Sequence, residues 1–242
     1  MPNYVVLNTE SHRNLSVITE YSNEYGDNTS NIMTFPTEFG DVQSEYPILF
    51  RKNPESGEFS SFAMLGFGAN ENLFLNDRKW SARYVPAAIA KGPFLIGFQN
   101  QEAIGKSKNE PVINIDMEDP RVSYDNKGER LFDEEEKQTP YVEKMITILS
   151  GIHQGIEFSK LMFEAFIEHD LIEPVTIDVQ FNNGEKVQLQ GCYTVHEEKL
   201  KSLSGQALEK LNQSGFLQAA FLVIASLNNI KKLVDMKNQK LV

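Results

Sequence analysis

The sequence predicts an α+β fold: a mixed or antiparallel sheet from the N-terminal half and a hairpin at 175–195, packed with C-terminal helices. Short β-prone runs bounded by Gly, Pro, Asn or Asp dominate residues 1–116, and helical periodicity dominates from residue 139 onward. Between the two lies an acidic, turn-rich stretch, MEDPRVSYDNKGERLFDEEEK, expected to be a long exposed loop over 117–138. With no repeat and no Pro/Gly/Ser linker, one domain over 1–242 is the economical expectation, with these three stretches as its parts.

The expected strands are Tyr4-Val-Val-Leu7, Tyr46-Pro-Ile-Leu-Phe50, Phe59-Ser-Ser-Phe-Ala-Met-Leu65, Phe94-Leu-Ile-Gly-Phe98 and Val112-Ile-Asn-Ile-Asp116. Pro47 lacks a backbone N–H, so its run belongs at a sheet edge or begins a strand. Thr139-Pro140 reads as an N-cap with proline at the first helical position. Apolar residues then recur at Val142, Met145, Ile146, Leu149, Ile152, Ile156, Phe163, Phe166 and Ile167, at i, i+3/i+4 spacing. Gly151 and Gly155 leave open one long helix or two with a bend. Val175 to Phe181, Asn182-Asn-Gly184, then Val187 to Val195 reads as a hairpin with a glycine turn. Glu197–Ser214 is helix-like with a stop at Gly215, and Leu217 to Val234 marks an amphipathic last helix.

Charge and composition narrow the function. Thirty-four Asp+Glu against 23 Lys+Arg leave a net charge of −11. Such a surface repels phosphate backbones and anionic lipid, so nucleic acid is not an expected partner. The N-terminus shows no basic and apolar leader pattern, and the longest apolar stretch, Phe216–Leu227, is about half the ~20 residues that span a bilayer. Membrane insertion is therefore not expected. One cysteine, Cys192, allows no internal disulfide and fits a reducing compartment; it reads as a small buried hydrophobe, and the expected address is cytoplasmic.

The chemical motifs searched for are missing. There is no GxxxxGK[ST], GxGxxG, HExxH, GxSxG or SxxK, and the acidic stretch lacks the ligand order of an EF-hand loop. The four histidines are scattered; His153 and Glu157 share a helix face without the further ligands a di-iron site needs. No cofactor and no metal are expected. An enzyme of unrecognised type, metal-assisted oxygenase or hydrolase, stays open, with Asp116, Glu118 and His153 as its candidates.

Asn70 to Phe94 stands out. It holds the only Trp of the chain, with Arg83, Tyr84 and Pro86 close behind. Trp, Tyr and Arg supply rigid contact area and directional donors, as binding hot spots do, and the same residues can anchor a core under an irregular loop. The order Asn72-Leu-Phe74, Trp80, Tyr84-Val-Pro-Ala87 and Pro93-Phe94 resembles the signature of the SapC family. Tyr46-Pro-Ile48, Gly128-Glu-Arg-Leu-Phe132 and Leu189-Gln-Gly-Cys-Tyr193 fit it too. The departure is Ala90-Lys-Gly92, where an Arg-Arg-Tyr-like run is usual. The family takes its name from a bacterial surface-layer locus. The resemblance implies an accessory or binding role with no established reaction, or a structural role at the surface layer. The expected recognition surface is Asn72, Trp80, Arg83, Tyr84, Pro86 and Phe94, the expected partner a peptide or protein, with a homo-oligomer possible.

Overall fold

A computed structural model describes residues 2–99 and 110–241. In chain order the strands are β1 (Tyr4–Val6), β2 (Ser16–Val17), β3 (Asn31–Met33), β4 (Ile48–Lys52), β5 (Phe59–Met64), β6 (Leu75–Asn76), β7 (Lys79–Trp80), β8 (Phe94–Gln99), β9 (Glu110–Asp116), β10 (Val122–Ser123), β11 (Glu129–Arg130), β12 (Ile172–Gln180) and β13 (Lys186–Val195). The helices are α1 (Thr9–His12), α2 (Phe39–Val42), α3 (Ala87–Ala90), α4 (Pro140–Glu168), α5 (Glu197–Lys201), α6 (Gly205–Gln213), α7 (Phe216–Ser226) and α8 (Asn229–Lys240). Antiparallel sheets early and helices late make the fold α+β, as the patterning predicts.

The chain divides into two compact units, each built from two separated stretches: 1–27 with 87–153, and 28–86 with 154–242. The units cut across the three stretches, 1–116, 117–138 and 139–242, that patterning distinguishes. Pairings between distant strands set the units, and local patterning does not report long-range pairing.

In the first unit, β1, β9 and β8 form one antiparallel sheet and β10, β2 and β11 another. Phe94, Ile115, Leu131, Phe132, Val142, Met145 and Leu149 close its core with Leu15 and Val17. The acidic stretch is thus only partly a loop: it supplies β10 and β11, and it buries Arg121, Leu131 and Phe132. The Arg121 guanidinium lies 2.5 Å from Asp27 and 3.4 Å from Asp119, over the Tyr25 ring.

The second unit is organised on a five-stranded sheet of order β12-β13-β4-β5-β3. Ile48, Leu49 and Phe50 of central β4 are all fully buried, which explains an unbroken apolar run in place of alternation. Pro47 precedes that strand, and its carbonyl accepts from Met64 N at 2.9 Å, so the start position is the one realised. The hairpin forms as expected, with Gly184 at φ +87 in the turn and a register shift near Gly191, itself at φ +74. Helices α6 and α7 pack together, and α7 also lies against α2, β4 and β13.

Helix α4 runs unbroken over 29 residues, so neither glycine bends it into two. Gly155 has another purpose: a Cβ there would sit 2.5 Å from Phe35 Cβ and 2.8 Å from Thr37 Oγ1. Only glycine lets the 35–37 segment approach the helix this closely. The two later helices expected from periodicity are each divided. Ser202–Ser204 separates α5 from α6, with Ser204 Oγ accepting from Ala207 N as an N-cap, and Leu227–Asn228 separates α7 from α8. By length and composition alone, Phe216–Lys240 is long and apolar enough to cross a membrane, and it contains the apolar stretch Phe216–Leu227. In the folded unit its Phe216, Ala219, Ala220, Val223 and Leu233 are buried in the core.

Candidate functional site

The residues singled out from the sequence fall into two settings. Asn72, Trp80, Arg83, Tyr84 and Pro86 belong to the second unit, Phe94 to the first. Phe94 is fully buried with its ring edge-on to Tyr141, so it is a core residue and presents no recognition surface. Asn72 is also buried; its Oδ1 accepts from Phe74 N at 3.0 Å, and its N–H donates to Asn28 Oδ1 at 3.0 Å. Pro86 is buried, Trp80 and Tyr84 are half-buried, and Arg83 is exposed.

Asn72, Trp80 and Tyr84 work mainly as an internal frame. A two-residue turn between β6 and β7, with Asp77 and Arg78 both at positive φ, brings Trp80 back beside Leu75. The indole stacks parallel to Phe74 with centroids 6.3 Å apart, and its Nε1–H donates to Tyr46 Oη at 2.7 Å. Tyr46 Oη donates in turn to the Tyr84 carbonyl at 2.5 Å. Tyr84 Oη donates to Glu38 Oε2 at 2.6 Å, and the other carboxylate oxygen accepts from Thr34 Oγ1 at 2.8 Å. Burial, then the hydrogen bond to Glu38 and its charge, push the Tyr84 phenol far above its ordinary range. The phenol therefore stays a donor at any physiological pH. Glu45 and Glu71 brace the same region from α8 through Lys232 and Lys237.

This relay ends at a groove that the sequence reading missed. Its walls are Met33 at the end of β3 with Thr34 and Phe35 beyond it, Glu58–Ser61 at the start of β5, and Ile156, Lys160, Phe163, Glu164 and Ile167 of α4. Its volume is about 330 Å³, at the small end of the ~300–1,000 Å³ typical of ligand clefts. Phe59 stacks on Phe163 in its floor, with centroids 5.8 Å apart. Met33 is 50% exposed, Ile156 40% and Ile167 55%, which in one cleft makes an apolar surface rather than scattered residues. Ser61 lies in the wall with its hydroxyl buried and, among the described residues, without a hydrogen-bond partner. A signal was present in the sequence: beyond Gly155 the apolar stripe of α4 is too wide for one contact face. Met162, Phe163 and Phe166 bury, while Ile156 and Ile167 do not.

The other candidates are dispersed. Asp116 Oδ1 accepts from Asn3 N and Glu118 N at 2.7 and 3.1 Å, and Glu157 pairs with Lys160 at 2.9 Å. Among the described residues, no group of three or more His, Cys, Asp or Glu is placed to hold a metal ion. Cys192 is buried, and burial pushes its thiol pKa up, away from a reactive thiolate. A second cleft, in the first unit, is lined by Tyr21, Arg121, Tyr141 and Lys144, but its guanidinium is already committed to Asp27 and Asp119.

A sequence profile of one family, SapC, matches residues 7–233. The chain belongs to the SapC family. Neither a curated protein nor a solved structure matches it. In this SapC chain, the matched region includes both the aromatic frame of the second unit and every wall of the groove.

Proposed function

We propose that this SapC-family protein is an accessory or binding protein that recognises a peptide or a segment of a partner protein through the groove between β5 and α4. The observation that carries the reading is the cluster Met33, Ile156 and Ile167, left exposed over an aromatic floor of Phe59 and Phe163. Apolar side chains in a cleft, ringed by Glu58, Lys160 and Glu164, match the apolar centre and polar rim of a recognition site. Trp80 and Tyr84 serve it from behind, through Glu38 and Thr34, and are not its contact surface. The net charge of −11 supports a partner other than nucleic acid, and the single cysteine suits a reducing compartment such as the cytoplasm.

A displayed library of random decapeptides, selected on the full chain and then screened on an Ile156→Asp/Ile167→Asp variant, tests this. The reading expects enriched sequences that bind the wild type and lose at least tenfold affinity on the variant. Enrichment that ignores the two substitutions, or none at all, refutes the groove.

A further inference from the structure

The groove is also a gap in a sheet. β4 pairs with β5 along its whole length, from Ile48↔Ala63 to Lys52↔Phe59. On the other side, β3 covers only Phe62, Ala63 and Met64, its last pair being Met33↔Phe62. One further bond, Thr34 N to the Ser61 carbonyl at 3.1 Å, ends the ladder. Among the described residues, no strand continues beside Phe59 and Ser60. Antiparallel pairing alternates its hydrogen-bonding direction residue by residue. With the Ser61 carbonyl turned toward β3 and the Glu58 carbonyl turned toward Asn53 of the β4 side, the Phe59 N–H and carbonyl face the gap. Phe59 and Ser61 share the face of β5 that meets α4, so the unpartnered Ser61 hydroxyl lies at the same place.

Charge specifies the occupant further. Glu58 and Glu164 both border the groove, and Glu164 makes no ion pair among the described residues. Lys160 pairs with Glu157 at 2.9 Å and also lies within reach of the Glu58 charge, and Lys52 Nζ sits 5.5 Å from the Phe59 ring centroid. An entering basic side chain would meet Glu164, which has no ion-pair partner among the described residues, with Glu58, shared with Lys160, on the other side of the groove.

Resting on the reading that this groove is the binding site, we propose that its ligand is an extended peptide segment that adds to the sheet beside Phe59–Ser61, in line with β3. Its apolar side chains, at alternate positions, would enter over Phe35, Phe163 and Ile167, and a lysine or arginine would lie between Glu58 and Glu164. Strand addition of this kind takes affinity from main-chain bonds and selectivity from alternate side-chain pockets.

The probe is a fluorescein-labelled octapeptide, Gly-Lys-Thr-Val-Thr-Val-Thr-Lys, whose lysines and valines share one strand face, with two analogues: one with both lysines replaced by glutamate, and one N-methylated at alternate residues. Fluorescence anisotropy with the full chain is expected to show binding of the lysine peptide, at least tenfold weaker binding of the glutamate peptide, and none of the N-methylated one. The Glu58→Lys/Glu164→Lys variant is expected to invert the charge preference. Equal binding of the N-methylated and plain peptides overturns strand addition, and an unchanged preference in the variant overturns the role of the carboxylates; both leave the groove reading standing. No binding of any of the three overturns this inference, while the random-library selection alone decides the groove itself. A concentration-dependent dimer abolished by Ile167→Asp would assign the gap to a second copy of the chain and overturn the peptide.

Discussion

Tyr84 Oη donates a 2.6 Å hydrogen bond to Glu38 Oε2, and through that carboxylate it holds Thr34, the residue at which β3 leaves the sheet and the groove begins. Glu38 N also donates to the Phe35 carbonyl at 2.9 Å. The aromatic stretch that dominates the sequence is thus tied to the groove by one buried carboxylate.

Tyr84→Phe should therefore loosen the groove wall without emptying the core. The loss of one hydrogen bond to a buried charged group is expected to cost about 1–3 kcal/mol, seen as a lower thermal midpoint. Amide exchange at Thr34 and Phe35 should accelerate more than at Phe50. An unchanged midpoint would show that the bond contributes nothing.

The glycines of α4 should behave oppositely. Gly155→Ala places a methyl 2.5 Å from Phe35 Cβ and should destabilise by about 1–3 kcal/mol, because the backbone segment must move. Nothing lies within 4 Å of a Cβ at Gly151, so Gly151→Ala should stabilise by about 0.5–1 kcal/mol through helix propensity. Urea denaturation of both variants checks the pair; the same sign for both would contradict the geometry.

Arg121→Met should unfold the first unit readily. It leaves Asp27, 3% exposed, without its guanidinium, and uncompensated buried charges of this kind cost about 3–5 kcal/mol. Adding Asp27→Asn to that variant should restore part of the loss. Failure of the double variant to recover would locate the damage elsewhere.

The acid limb of stability should depend on Glu71. Burial alone would raise its carboxyl, but the hydrogen bond and charge of Lys237, with the backbone N–H groups of Phe67 and Gly68, outweigh it and hold it below its ordinary 4.5. A depressed carboxylate contributes stability that is complete above that ordinary value and is lost as pH falls through the lower, folded value. Glu71→Gln should flatten thermal midpoint against pH below about 5, in line with that linkage. Asp27 acts with the opposite sign: burial raises it despite Arg121, so its contribution falls as pH rises from its ordinary 3.8.

The sequence made the longer elements legible because each carries its own period or turn. Val142 to Phe166 repeats at helical spacing, and Asn182-Asn-Gly184 divides two strand-like runs; both appear where expected. The short strands β2, β10 and β11 were not legible, since two residues hold no pattern and exist only through pairing with distant partners. The division into two units escaped for the same reason. Trp80 and Tyr84 drew notice by composition, yet composition does not say whether an aromatic ring faces a partner or Phe74. Ile156 and Ile167 carry the same helical period as the core residues between them, so the period does not separate groove from core and only the width of the stripe marks the groove.

The most direct test is the backbone amide spectrum of the uniformly ¹⁵N-labelled chain during titration with the lysine octapeptide. Saturable shifts are expected, concentrated at Met33–Phe35, Phe59–Ser61 and the Ile156–Ile167 stretch of α4, with Trp80 and Arg83 responding little. Shifts centred instead on Trp80, Arg83 and Tyr84, with the groove silent, would contradict the groove reading and return recognition to the aromatic stretch.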